Sequence, residues 1–181
     1  MFMVDSSLNQ LSRKQNIVKW VFFGLAIAFS LFLIINGAIH GEASAAESDS
    51  ISKAEADIIN TVSPGTITPE SFPTFAFFNR KLLGHFLAFT LDSVFATIAI
   101  YYFLIPRKWY KFYFIYLISF GFGFIVAAIS EIMQLFTPGR TGAFSDVLID
   151  MGGYLLGLVI IFLILFFAKK HHPFDKKVAM N

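Results

Sequence analysis

Cysteine is absent from this chain, and charge is scarce: Asp, Glu, Lys and Arg make up 14% of its 181 residues. The first absence excludes disulfides, thiolate zinc sites and thiol nucleophiles. The second excludes an ordinary soluble surface, which carries about 25% charged residues. A formal charge of +2 is too small to suggest nucleic acid as a partner. What is abundant is apolar: 56% hydrophobic residues, 24 of them Phe, with a mean hydropathy of +0.68. A small domain has too little interior to hide so much apolar surface. Lipid is the solvent that accommodates it.

Four runs are long enough to cross roughly 30 Å of hydrocarbon, for which about 20 apolar residues suffice. They are Trp20 to Ile39, Leu82 to Ile105, Phe112 to Phe136 and Val147 to Ala168. A chain in lipid must satisfy its own backbone, and these runs lack the alternation of a membrane barrel, so all four are expected to be helices. The expected fold is therefore all-α, a polytopic membrane protein of four transmembrane helices. Ala43-Ser44-Ala45 fits the small-x-small pattern of a signal cleavage site, but the apolar run before it is longer than a signal peptide's, so a retained anchor is expected.

Basic residues set the expected direction. Arg13, Lys14 and Lys19 precede the first run, Arg107, Lys108 and Lys111 lie between the second and third, and Lys169, Lys170, Lys176 and Lys177 follow the fourth. Ten of the fourteen Lys and Arg thus fall on one side, which places both termini in the cytoplasm. Trp20, Tyr101, Tyr102, Trp109, Tyr110, Tyr113 and Tyr116 gather on the same side, as interfacial rings do. Arg80 and Lys81 go against this bias. The expected organisation is a cytoplasmic segment 1–19, a first helix 20–39, an extracytoplasmic loop 40–81, a three-helix core 82–168 and a basic cytoplasmic tail 169–181. Within the loop, Ile51, Ala54, Ile58, Ile59 and Val62 recur at helical spacing and predict a short amphipathic helix, ended by Pro64-Gly65. The phenylalanines of ESFPTFAFF bring the chain back to the membrane. His40 is given no role, and His171-His172 reads as part of an exposed tail.

Polar groups inside the apolar runs need a reason, since a charge at a helix centre costs about 2.5–3.5 kcal/mol. The up-and-down order puts His85, Glu131, Gln134, Asp146 and Asp150 at one depth, with Arg140 in the adjoining loop and Lys81 one turn from His85. His85 and Asp92, seven apart, are expected on one face. Asp146 by itself reads as the cap of the fourth helix. Arg140 is positioned to neutralise Glu131 or Asp146. Gly153-x-x-x-Gly157, with Gly121 and Gly123, predicts close packing of the third and fourth helices. No cofactor and no metal site is expected, because there is no zinc-type His pair and the acidic spacing is not that of a magnesium site.

Glu131-x-x-Gln134-x-x-x-Pro138-Gly139-Arg140, followed by Asp146, Asp150, Gly153 and Gly157, resembles the VanZ-like family. The segment EIMQLFTPGRTGAFSDVLIDMGGYLLG carries its hallmark, and NRKLLGHF, with Lys81, His85 and Phe86, is similar to a second block. The likeness spans about Arg80 to Leu165. Asp150 departs from it, since the family often has Asn there. The resemblance implies a multi-pass protein of the cell membrane and envelope, of a type associated with low-level teicoplanin resistance.

Two functional classes follow. In one, a non-catalytic factor binds membrane lipid, a lipid-linked envelope precursor or a lipoglycopeptide through an outward polar pocket of Lys81, His85, Glu131, Gln134, Arg140, Asp146 and Asp150. In the other, an intramembrane enzyme uses His85 and Glu131 as candidate catalytic acid or base. A transporter is a third class, for which four helices would have to oligomerise.

Overall fold

The computed structural model describes residues 13–104 and 112–171, with residue 112 and residues 168–171 described by backbone alone. The basic loop containing Arg107, Lys108, Trp109, Tyr110 and Lys111, and the tail containing His172, Lys176 and Lys177, lie outside the described residues. Among the described residues six α-helices follow in order: α1 (Arg13–Gly37), α2 (Gly41–Val62), α3 (Phe72–Asn79), α4 (Ala88–Leu104), α5 (Phe112–Leu135) and α6 (Phe144–His171). Between α3 and α4 lies a π-helical segment, Arg80–Leu87, that makes the three pieces one continuous rod.

Four helical stretches, 13–37, 72–104, 113–135 and 144–167, are apolar and long enough to span a membrane. Their outward faces carry Phe32, Ile35, Leu117, Phe124, Ile125, Leu148 and Ile164, all more than four-tenths exposed, which is the surface a helix presents to lipid. The protein is thus an all-α, multi-pass protein of the cell membrane.

The second span is longer than the apolar run suggests. It begins at Phe72 rather than Leu82, because Phe72 to Phe78 continue as helix instead of returning along the interface. Pro73 stands in the first turn, where its missing N–H costs no intrahelical bond.

α4 and α5 form the middle of the bundle, and α1 and α6 each pack on both of them. The core between them is built from Ala26, Phe89, Ala96, Ala127, Met151 and Tyr154. A buried hydroxyl chain crosses it: Thr97 and Ser119 are 2.7 Å apart, and Ser119 and Tyr154 3.1 Å. These groups satisfy one another where no water is at hand.

Glycines set the spacing, but not between the partners expected. A Cβ on Gly153 would collide with the Phe86 carbonyl, and one on Gly157 would lie 2.6 Å from the Thr90 carbonyl oxygen. The GxxxG stripe of α6 therefore receives the π segment and α4, not α5. The α5–α6 approach rests on Gly123, over which the Tyr154 ring lies, whereas a Cβ on Gly121 would meet open space.

α2 is the amphipathic helix expected between the first two spans, and it begins earlier, at Gly41. His40, given no role from sequence, is its N-cap, and its Nδ1 accepts from the Glu42 N–H at 3.4 Å. Gly65, at φ +79°, lies just past the helix end. Ser52 and Glu55 hold the far side of the loop by accepting from Asn79 Nδ2.

Candidate functional site

One end of the bundle collects the polar residues. There α1 and α5 finish, the π segment begins, and α6 starts, so their terminal turns meet. The loop between α5 and α6 turns at Gly139, which has φ +74° and so a conformation that suits glycine. This turn is fastened to the other loop of the same end, for Gly41 N–H donates to the Pro138 carbonyl at 3.0 Å.

The π segment brings Lys81 and His85 into place. A π turn is wider than an α turn, and such turns occur often at functional sites. Lys81 and His85, four apart on this segment, both reach α6. Lys81 Nζ donates to Asp146 Oδ2, and His85 Nδ1 lies 2.9 Å from Asp150 Oδ1. Asp92, seven residues further on, accepts from the Ser30 hydroxyl of α1 at 2.9 Å. The expected capping role of Asp146 is corrected. Ala143 precedes α6, Asp146 lies within its first turn, and its carboxylate is occupied by Lys81.

Glu131 and Gln134 face inward from the last turns of α5. Gln134 Nε2 donates to Glu131 Oε1 at 2.7 Å, as their i,i+3 spacing predicts. Glu131 Oε2 accepts from the Ala143 N–H at 2.9 Å and so holds the α5–α6 loop against α5. Glu131, Gln134 and Asp146 are buried and Asp150 is fully so. One donor atom from each of His85, Glu131 and Asp150 lies within 4.8 Å of the others.

Arg140 does not neutralise Glu131 or Asp146. Its Nη2 donates to the Asn36 carbonyl at 2.7 Å and its Nε to the Ile39 carbonyl at 3.3 Å. It thus sits on the exposed carbonyls of the C-terminal end of α1, where a cation meets the negative pole of the helix. Burial, and then the nearby Arg80 guanidinium, push Arg140 below the ordinary arginine range, with Glu131 opposing them. It stays charged at neutral pH.

Arg80 and Arg140 both line a cavity of about 440 Å³ between α1, α2 and the π segment. His85 and Gln134 belong to its wall, and Glu47 is the acidic residue on it. Its other flank is apolar, with Phe29, Phe32, Leu33, Leu87 and Leu91. Of the residues expected at the site, His85, Gln134 and Arg140 face this cavity. Lys81, Glu131, Asp146 and Asp150 form the polar cluster beside it. Sequence reasoning missed Arg80 as part of the wall. The signal that pointed to it was its position against the basic-side bias.

No curated protein and no solved structure matches the chain. A sequence profile of the VanZ/LLP1 family matches residues 20–166, most of the chain, including most of α1. The protein is therefore a multi-pass membrane protein that belongs to the VanZ/LLP1 family.

Proposed function

We propose that the protein is an envelope factor that binds an amphipathic anionic ligand, a lipid-linked envelope precursor or a lipoglycopeptide, at the outer leaflet, and thereby contributes to teicoplanin-type tolerance or envelope homeostasis. The cavity carries this reading. Arg80 and Arg140 line it with, among the described residues, a single acid, Glu47, and its α1 and α4 walls contribute apolar side chains. Phosphate and carboxylate groups suit a guanidinium fork, and an acyl or prenyl chain suits the flank. The volume falls within the roughly 300–1,000 Å³ of small-molecule sites. The positive-inside bias supports placing this end outside.

The test uses cells expressing the chain, with tolerance to teicoplanin and the amount of protein in the membrane measured together. Arg80→Gln with Arg140→Gln abolishes tolerance at normal protein level, and weakens binding of a polyprenyl phosphate to the purified protein at least about tenfold. Full tolerance in the double variant sinks the reading.

A second reading, an intramembrane acid–base enzyme acting on a lipid-linked precursor, is favoured by the His85–Asp150 pair, in which a carboxylate orients an imidazole. His85→Gln decides between the two. Gln keeps hydrogen bonding but exchanges no proton near neutral pH, so unchanged tolerance at normal expression removes the enzyme.

A further inference from the structure

The polar cluster beside the cavity holds more negative charge than its cations account for. Glu131, Asp146 and Asp150 bring three carboxylates to one end of a lipid-embedded bundle. Lys81 is paired with Asp146. Arg140 is turned to the carbonyls of Asn36 and Ile39 and, among the described residues, forms no ion pair. Among the described residues Glu131 and Asp150 have no Lys or Arg at ion-pair distance: their direct partners are His85 and neutral donors, and Arg140 and Lys81 act on them only from farther away.

We propose that His85, Glu131 and Asp150 bind one divalent transition-metal ion, zinc or manganese. Each offers a ligand atom within 4.8 Å of the other two, from three separate elements. An imidazole with two carboxylates is a donor set for an ion of intermediate hardness, whereas magnesium and calcium take oxygen alone.

A second observation points the same way. Asp150 is fully buried, and among the described residues its Oδ2 has no hydrogen-bond donor. A buried carboxylate oxygen without a partner is costly, and a cation supplies what the protein does not.

The surrounding bonds hold the ligands in position. Gln134 and the Ala143 N–H each donate to one oxygen of Glu131. His85 Nδ1 and Asp150 Oδ1, on two of the proposed ligands, already meet at 2.9 Å, so the outer contacts are those of Gln134 and Ala143 with Glu131. Such outer contacts orient metal ligands. His85 also belongs to the cavity wall, so the ion would lie beside the anionic group of a bound ligand. The proposal stands without that ligand, because the ion is counted on the protein alone.

The test uses untagged full-length protein purified in detergent without chelator. Elemental analysis gives about one zinc or manganese ion per chain. EDTA removes it and lowers the melting temperature, and adding ZnCl₂ or MnCl₂ restores both. Glu131→Gln and Asp150→Asn each reduce the ion content to near zero. His171→Ala with His172→Ala retains it, which separates the site from adventitious binding by the tail. Wild-type protein without a bound ion, and with no melting shift on adding either metal, overturns the proposal. So does loss of the ion in the tail variant with retention in Asp150→Asn. The wild-type ion count decides the matter even where a variant fails to fold.

Discussion

Lys81 and Asp146 form a pair that is mostly removed from solvent, with side chains 18% and 8% exposed. Removing one partner of such a pair leaves a buried charge alone, at a cost of about 3–5 kcal/mol, whereas replacing both by apolar groups of similar size is often nearly neutral. Lys81→Met therefore lowers thermal stability in detergent strongly, and Lys81→Met with Asp146→Leu recovers most of it. A melting series of the wild type, both single variants and the double variant checks the sign of the coupling. Most residues of this end were legible in the sequence, because a polar group in an apolar run stands out by cost alone. Their pairings were not. Lys81–Asp146 and His85–Asp150 each join residues 65 apart, and nothing local in either segment names its partner. Arg140 shows the same limit differently. Its acceptors are backbone carbonyls at and just past the end of α1, a kind of partner that no side-chain pattern reveals.

Among the elements, the four spans follow from hydrophobic length, and α2 from its apolar period of Ile51, Ile58 and Val62. The π segment left no such trace. Nothing in the residues of Arg80–Leu87 marks a wider turn, and in the fold this segment packs on α6. The direction of the glycine stripe was equally hidden, since GxxxG announces a close neighbour without saying which. The structure separates the glycines sharply. Gly153→Ala drives a methyl into the Phe86 carbonyl and is expected to destabilise by about 1–3 kcal/mol or to open the α6 contact. Gly121→Ala meets nothing and is expected to leave the melting temperature unchanged or slightly raised. Paired melts of these two variants test whether α6 docks on the π segment.

For the whole molecule, orientation rests on the charge bias, and the native lack of cysteine makes it simple to measure. An impermeant thiol reagent added to intact cells is expected to label Ser50→Cys and Thr141→Cys and to spare Lys108→Cys. Labelling of Lys108→Cys alone reverses the topology. Either way, the long second span has a mechanical consequence. Its 33 residues, at about 1.5 Å each, reach roughly 50 Å, well beyond a hydrocarbon layer of about 30 Å. The surplus must tilt, thin the membrane locally or stand clear of it. The α4 part of the rod packs on α1, α5 and α6, whereas the α3 part, with exposed Phe77 and Phe78, packs mainly on α2 and the π segment. Bilayer thickness thereby becomes a variable acting on the turn that carries Lys81 and His85, and reconstitution in lipids of graded acyl length would read its effect.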